Sequence, residues 1–296
     1  SRLDFCADLP KAEGTLSGSG RYRIRHYRHN DKEPYSLSNN SVYDIRTDKR
    51  GRIWIGTYGG GLNLVENSTT QPLRFLHGGN KLKTFPPEAV KIRHICPTDS
   101  DVILVATTGG LLTFDSRFAN PEGLTFHLNR SRQNQASSLS NNDGMHSFCG
   151  SQTYAFLYVV PYSGGISRIV SDNLLSDSIE FEHFNKRNGL PSDLTYAITE
   201  AGDSILWITF QNGICRYDPQ THGIETYDRF NLSPLTISEV PPVIDKQGRL
   251  YVGTAYGTLC LDLGKIGKSD IVPPLVFTQM QIPGTDGHDI IKPIIG

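Results

Sequence analysis

The feature that most constrains the fold is internal repetition. Residues 48–64 read DKRGRIWIGTYGGGLNL and residues 245–261 read DKQGRLYVGTAYGTLCL, with about half the positions identical. Most other positions are like-for-like exchanges, such as Trp54/Tyr251 and Ile55/Val252. Three segments between them share the plan: DSDVILVATTGGLLTFD (99–115), SQTYAFLYVVPYSGGISRI (151–169) and AGDSILWITFQNGICRYD (201–218). Each has a polar turn, an apolar run of strand length, a glycine-bearing turn and a second strand. Aligned on the large residue of the first run, Trp54, Leu104, Tyr158, Trp207 and Tyr251 recur about every fifty residues, the range of propeller blades.

The flanks repeat as well. A strand precedes the polar turn in SVYDIRT (41–47), VKIRHIC (90–96) and LTYAITE (194–200). An aromatic-rich strand follows in LRFLH (73–77), LTFHL (124–128), FEHF (181–184) and IETYDRF (224–230). SLSNN at 36–40 recurs at 138–142, and GLPSD (189–193) fills the same place. Each unit therefore holds four strands, a to d. In DKRG the Asp side chain caps the a–b turn and Gly51 takes the left-handed conformation. The b strands RIWIGT, VILVAT and ILWITF are nearly continuously apolar, whereas a sheet with one wet face alternates. Both faces must be covered, which radial stacking of blades achieves.

The chain therefore reads as all-β: a β-propeller of four-stranded blades, with about five to six blades present and the whole forming part of a larger, seven-blade ring. The five repeats fall at about 42–75, 90–126, 145–184, 194–228 and 237–264, within a repeat region of 31–268. Residues 1–30 read as the outer strands of an interrupted blade. Residues 269–296, including IVPPLVFTQMQIPG (271–284), read as a linker and the first strand of a following β-sandwich module.

Hydrophobic residues make up 37% of the 296, charged residues 20%, and the net charge is −1. That balance lacks the basic face that binding nucleic acid or an anionic membrane requires. No signal peptide opens the chain, and no apolar run is long enough to span a bilayer; YAFLYVV (154–160) has strand length. Cys6, Cys96, Cys149, Cys215 and Cys260 are scattered without a CxxC pair, and are expected to be five small core residues.

The stretch SLSNNSVYDIRTDKRGRIWIGTYGGGLNL (36–64) is similar to the two-component-regulator propeller repeat, roughly GLSNN-x-V-x-x-I-x-x-D-x-x-G-x-[IL]-W-I-G-T-x-x-G-G-L. Residues 189–218 and 245–261 resemble it too. In the units around Val90 and Met145, Leu104 and Tyr158 replace the Trp and the Asp-x-x-Gly turn is lost. PPLVFTQMQIPG (273–284) resembles the opening of the immunoglobulin-like domain that follows such propellers. The resemblance implies a periplasmic sensor of membrane-anchored hybrid histidine kinases in Bacteroides-type gut bacteria. It implies an oligosaccharide ligand released from complex glycans, and a homodimer in the full-length receptor. It also places the chain as the periplasmic part of an inner-membrane receptor, reaching the membrane only through an absent transmembrane segment. Kinase activity would belong to other domains.

No motif points to catalysis. The chain has no Gly-x-Ser-x-Gly elbow, P-loop or His-Glu-x-x-His. His26, His29, His94 and His146 lack metal-ligand spacing, and DSD (99–101) reads as a solvated turn. No catalytic residue, metal or cofactor is expected. Binding is the easier reading. The b–c and d–a turns of a propeller emerge together around the channel mouth. The b–c turns carry Tyr58, Tyr162, Phe210, Gln211, Asn212 and Tyr256; the d–a turns carry Asn39, Asn40, Asn141, Asn142, Asp143 and Asp193. Aromatic faces beside amides and carboxylates suit a sugar, with its apolar C–H patches and hydroxyls. In RYRIRHYRH (21–29), Arg21, Arg23 and Arg25 share one face of a strand, either as a charged protective edge or as a strip for a sulfated or uronic-acid glycan. Two other functions fit a propeller: a polysaccharide lyase or hydrolase, and a structural protein-interaction scaffold.

Overall fold

Two-sided burial of the b strands organises the architecture. The computed structural model describes residues 3–7, 23–69, 71–149, 157–202, 204–228, 236–266, 279–282 and 290–293. The chain divides into a unit of residues 1–261 and a second of residues 262–296. In the first, β1 (Leu3–Ala7) and β2 (Arg23–Tyr27) form an antiparallel pair. Four four-stranded antiparallel sheets follow. The first holds β3 (Val42–Thr47), β4 (Ile53–Thr57), β5 (Gly61–Val65) and β6 (Phe75–Leu76). The second holds β7 (Ile92–Pro97), β8 (Val102–Thr107), β9 (Gly110–Asp115) and β10 (His127–Asn129). The third holds β11 (Gly144–Cys149), β12 (Leu157–Pro161), β13 (Ile166–Ile169) and β14 (Phe181–Phe184). The fourth holds β15 (Thr195–Glu200), β16 (Leu206–Phe210), β17 (Gly213–Tyr217) and β18 (Ile224–Asp228). A fifth sheet has three described strands: β19 (Val243–Ile244), β20 (Arg249–Thr254) and β21 (Gly257–Asp262). Within each sheet the strands lie side by side in chain order. The a strands β3, β7, β11, β15 and β19 are successive neighbours about the axis. The second unit contains the antiparallel pair β22 (Gln279–Ile282) and β23 (Ile290–Pro293).

The cores lie between blades. Trp54, Leu62 and Leu64 of the first blade meet Ile92, Ile103, Val105 and Phe114 of the second. Val102 and Leu104, on the opposite face of the same β8 strand, meet Val159, Ile169 and Phe181 of the third. All six residues of β8 are buried, so its unbroken apolar run is used on both faces. Tyr158 and Val160 repeat the arrangement against Ile198, Leu206 and Ile208 of the fourth blade. Each such side chain contributes about 1.5–3 kcal/mol on burial.

The a–b turn explains the repeated DxxGxIW pattern. Asp48 accepts from the backbone N–H of Arg50 (2.9 Å) and Arg52 (3.0 Å), from Arg52 Nε (2.9 Å) and from Trp54 Nε1 (2.9 Å). Burial alone would raise its pKa, but these donors hold it below the ordinary carboxylate value. Asp245 does the same in the fifth blade, where Tyr251 Oη (3.1 Å) takes the place of the indole N–H. Gly51 and Gly248 both have φ +75° at the third turn position. Where that glycine is lost the conformation persists, with Asp101 at φ +63° and Ser204 at φ +65°. Asp99 and Asp101 pair with Lys49 (2.9 Å) and Arg50 (3.6 Å) of the preceding turn, so DSD is a solvated, ion-paired turn. The glycine pairs of the b–c turns answer to close approach. A Cβ at Gly109 would fall on the Glu88 carbonyl oxygen, and one at Gly165 (φ +79°) on that of Phe184.

Each a strand is the inner end of its sheet, so one edge finds no strand partner. Side chains at one repeated position satisfy it across the blade boundary. Asp44 Oδ2 accepts from Ile95 N–H of the second blade (2.8 Å), and His146 Nδ1 accepts from Ile198 N–H of the fourth (3.4 Å). His94 holds the equivalent place between them, 3.1 Å from Arg46 Nη2, with its ring 4.1 Å from that of His146. Burial and the Arg46 charge depress the His94 pKa to about 3, and burial drives His146 well below the usual value. Asp44 is raised by burial, against the pull of the Ile95 N–H and Arg46.

The cysteines depart from expectation. Cys215 is a buried free thiol, its pKa pushed up to about 12 by burial, but Cys260 is free and exposed and Cys96 is disulfide-bonded. Residues distant in sequence meet between blades, so the lack of CxxC spacing carries no information about pairing.

Two tests follow from this geometry. Ser204→Gly relieves a left-handed residue and should raise the unfolding free energy in urea by about 0.5–1 kcal/mol; a loss would mean that the serine side chain anchors the turn. The fold keeps His94 and His146 neutral while the unfolded chain titrates near 6.5, so the unfolded state binds protons first as pH falls. Stability should be complete above pH 6.5 and decline toward about pH 3. The thermal midpoint followed by circular dichroism should drop across that window, and His94→Gln should flatten the slope; an unchanged slope would clear the histidine of the effect.

Candidate functional site

The a strands share a second device. The register with the b strand shifts between Val42 and Asp44, Ile92 and His94, Gly144 and His146, and Thr195 and Ala197. The skipped residues are Tyr43, Arg93, Met145 and Tyr196. A bulge re-aims its side chain away from the regular pleat. Tyr43 accordingly stands 53% exposed and stacks on Tyr58 of the b–c turn, with centroids 4.9 Å apart and planes at 23°.

Tyr58 is fixed by backbone pairing. It bridges to Lys91 at the start of the second blade, its N–H donates to Ser41 O (2.8 Å), and Gly59 N–H donates to Val90 O (2.9 Å). That pairing brings Lys91 Nζ to 5.4 Å and Arg93 Cζ to 5.6 Å from the ring centroid. Arg93 Nε donates to Asp143 Oδ1 (3.1 Å), and its Nη1 lies 3.5 Å from Glu239 Oε2 of the fifth blade. Burial would lower the Arg93 pKa, but Asp143 keeps it above the usual value. Tyr196 is raised by burial, with Glu239 and Tyr162 adding to the effect. One cluster at the mouth thus links Tyr43, Tyr58, Lys91, Arg93, Asp143, Tyr162, Tyr196 and Glu239.

Of the residues singled out from sequence, Tyr58 and Tyr162 (43% exposed) join this cluster. Tyr256 is 86% exposed on its b–c turn, and Gln211 and Asn212 are exposed on theirs. Leu194 and Val240 add exposed apolar surface on the d–a turns. Asn40, Asn142 and Asp193 share a turn-closing task. Their Oδ1 atoms accept from the backbone N–H of His29 (2.8 Å), Ser131 (2.6 Å) and Lys186 (2.8 Å). Asn39 and Asn141 close Asx turns onto the N–H of Ser41 and Asp143 (2.8 Å each). In the arginine strip, Arg25 Nη1 donates to Gln71 Oε1 (2.7 Å), which also accepts from Tyr27 Oη (2.6 Å). Arg21 and the Arg23 side chain lie outside the described residues.

Tyr43, Lys91, Arg93, Tyr196 and Glu239 were not singled out from sequence. The signal for three of them is the second residue of each a strand, which is bulky or charged in every unit; the bulge itself has no sequence mark. Two grooves at the outer rim, about 510 and 360 Å³, are lined by Arg52, Lys81, Phe118 and Arg117 among others. Their cations are already engaged by Asp48, Glu122 (2.6 Å) and Asp115 (2.8 Å). Among the described residues no three His, Cys, Asp or Glu side chains form a metal-holding group, and no helix is long and apolar enough to cross a membrane.

Residues 36–59 match the two component regulator propeller family. No curated protein matches the chain. Among solved structures, the chain is similar to the extracellular domain of BT4673 from B. thetaiotaomicron, described as a putative hybrid two component system in one structure and a putative one component system in another. The first has a TM-score of 0.60 at 18% identity, over 86% of this chain and 32% of that one. The second has a TM-score of 0.57 at 17% identity, over 92% and 43%. The chain thus spans less than half the length of those domains. It is also similar to a catalytically inactive variant of virginiamycin B lyase from Staphylococcus aureus, solved with quinupristin: TM-score 0.52 at 17% identity, over 81% of this chain and 69% of that one. At these identities the likeness is one of fold. The chain is a partial β-propeller whose first full blade opens with a two-component regulator propeller repeat.

Proposed function

We propose that this propeller is the ligand-sensing part of a periplasmic receptor in a hybrid two-component system, and that it binds a glycan breakdown product at its axial mouth. The carrying observation is the set of exposed aromatic and apolar side chains there: Tyr43, Tyr162 and Tyr256 with Leu194 and Val240. Exposed apolar surface gathered at one end marks a binding face, and flat rings beside Gln211 and Asn212 match a sugar's mixed surface. The repeat at 36–59 and the likeness to BT4673 supply the receptor context. The disulfide at Cys96 accords with an oxidising compartment outside the cytoplasm. Signalling would pass through rearrangement of a homodimer, with kinase activity in other domains of the receptor.

A binding role is favoured over a lyase or hydrolase because the two axial histidines are buried in the wall between neighbouring blades. A structural, protein-interaction role would leave the mouth without a small ligand. Calorimetry against oligosaccharide mixtures from digested polysaccharides should find a binder. Tyr43→Ala and Tyr162→Ala should each weaken it by about tenfold, the loss of one stacked ring. Size-exclusion chromatography of the full ectodomain should show a dimer. Release of new reducing ends or unsaturated sugars during incubation would establish the enzyme reading instead.

A further inference from the structure

Which sugar chemistry the mouth accepts follows from its charges. Two cations flank one aromatic platform. Lys91 and Arg93 stand beside Tyr58, and Tyr43 stacks on that ring and offers its own exposed surface to solvent. Lys91 is exposed, and among the described residues it has no carboxylate partner. Arg93 is different. Its side chain is 17% exposed, and Nε and Nη2 reach the two Asp143 oxygens at 3.1 and 3.4 Å. Its remaining terminal nitrogen, Nη1, faces Glu239 at 3.5 Å, beyond good hydrogen-bond length, and that carboxylate is 54% exposed. A long, half-solvated ion pair is weak, so the Nη1 edge of Arg93 is the replaceable one. Asp143, which holds two of the Arg93 nitrogens, stays.

Resting on the carbohydrate reading above, we propose that this corner is an anion-selective sugar subsite. The acidic substituent of a sugar, a uronic-acid carboxylate or a sulfate ester, sits between Lys91 and Arg93 Nη1 and displaces Glu239. The sugar ring lies on Tyr43. Arginine and lysine recognise such anions by charge-assisted hydrogen bonds, and the stacked tyrosines supply the apolar floor. Acid recognition thereby moves from the arginine strip on β2 to the axial mouth. Ligand entry is also coupled to the fifth blade, because Glu239 is the contact between that blade and Arg93.

The test uses oligosaccharide mixtures from three classes of polysaccharide: uronic-acid, sulfated but uronate-free, and neutral. The two acidic arms tell carboxylate from sulfate. At least one acidic class should bind more tightly than the neutral class, and its affinity should fall as salt rises from about 50 to about 500 mM. Lys91→Ala should weaken acidic binding by about three- to tenfold and reduce its salt dependence, while Glu239→Gln should tighten it several-fold. Both residues are exposed, so the variants should keep the parent thermal midpoint. Binding confined to the neutral class, or acidic binding indifferent to both substitutions, overturns the subsite and leaves the carbohydrate reading standing. Failure of all three classes to bind overturns both.

Discussion

The structure depends on sheets that have no outside face. A strand such as β8 sends Ile103 and Val105 toward one neighbour and Val102 and Leu104 toward the other. A single blade would leave both of these faces in water, so the blades are stable only as neighbours. Every polar task is pushed to the places that stacking leaves free: the turns at the two ends and the inner edge along the axis. The buried carboxylate of Asp48 is tolerated because its donors arrive from its own turn and from the indole it supports.

The same constraint makes the mouth a rigid platform. Side chains there rise from bulges in a strands, or from turns clamped to the next blade, as Tyr58 is by its bridge to Lys91. The amide oxygens of the SLSNN turns accept from backbone N–H groups and so hold the surface in shape. In the proposed function, contact with a ligand falls mainly to tyrosines with two rotatable bonds and to the cations beside them. Such a surface loses little conformational freedom on binding.

The blade plan was legible because two-sided burial writes itself as continuous apolar runs, and Trp54, Leu104, Tyr158 and Trp207 do occupy one buried position. The a–b turn was legible at Gly51 and Gly248. It was not at Asp101 and Ser204, where the fold imposes the left-handed conformation without the glycine. The mouth was half legible. Tyr58 and Tyr162 sit on turns that composition marks. Tyr43, Arg93 and Tyr196 owe their direction to a register shift that depends on strand pairing. Glu239 was invisible because its meeting with Arg93 joins blades far apart in the chain. His94 and His146 looked unrelated for the same reason, being some fifty residues apart yet one blade step apart in space.

The row of acceptors along the axis has a direction and an end. Asp44 serves the blade after it, and His146 serves the blade after it. The same position in the fourth blade is Ala197, whose methyl group can accept nothing. At that position, therefore, the fourth blade offers the fifth no side-chain acceptor. The joint between the two blades is tied instead through the backbone, Ile237 N–H donating to Gln211 O at 3.0 Å, a link made without any side chain.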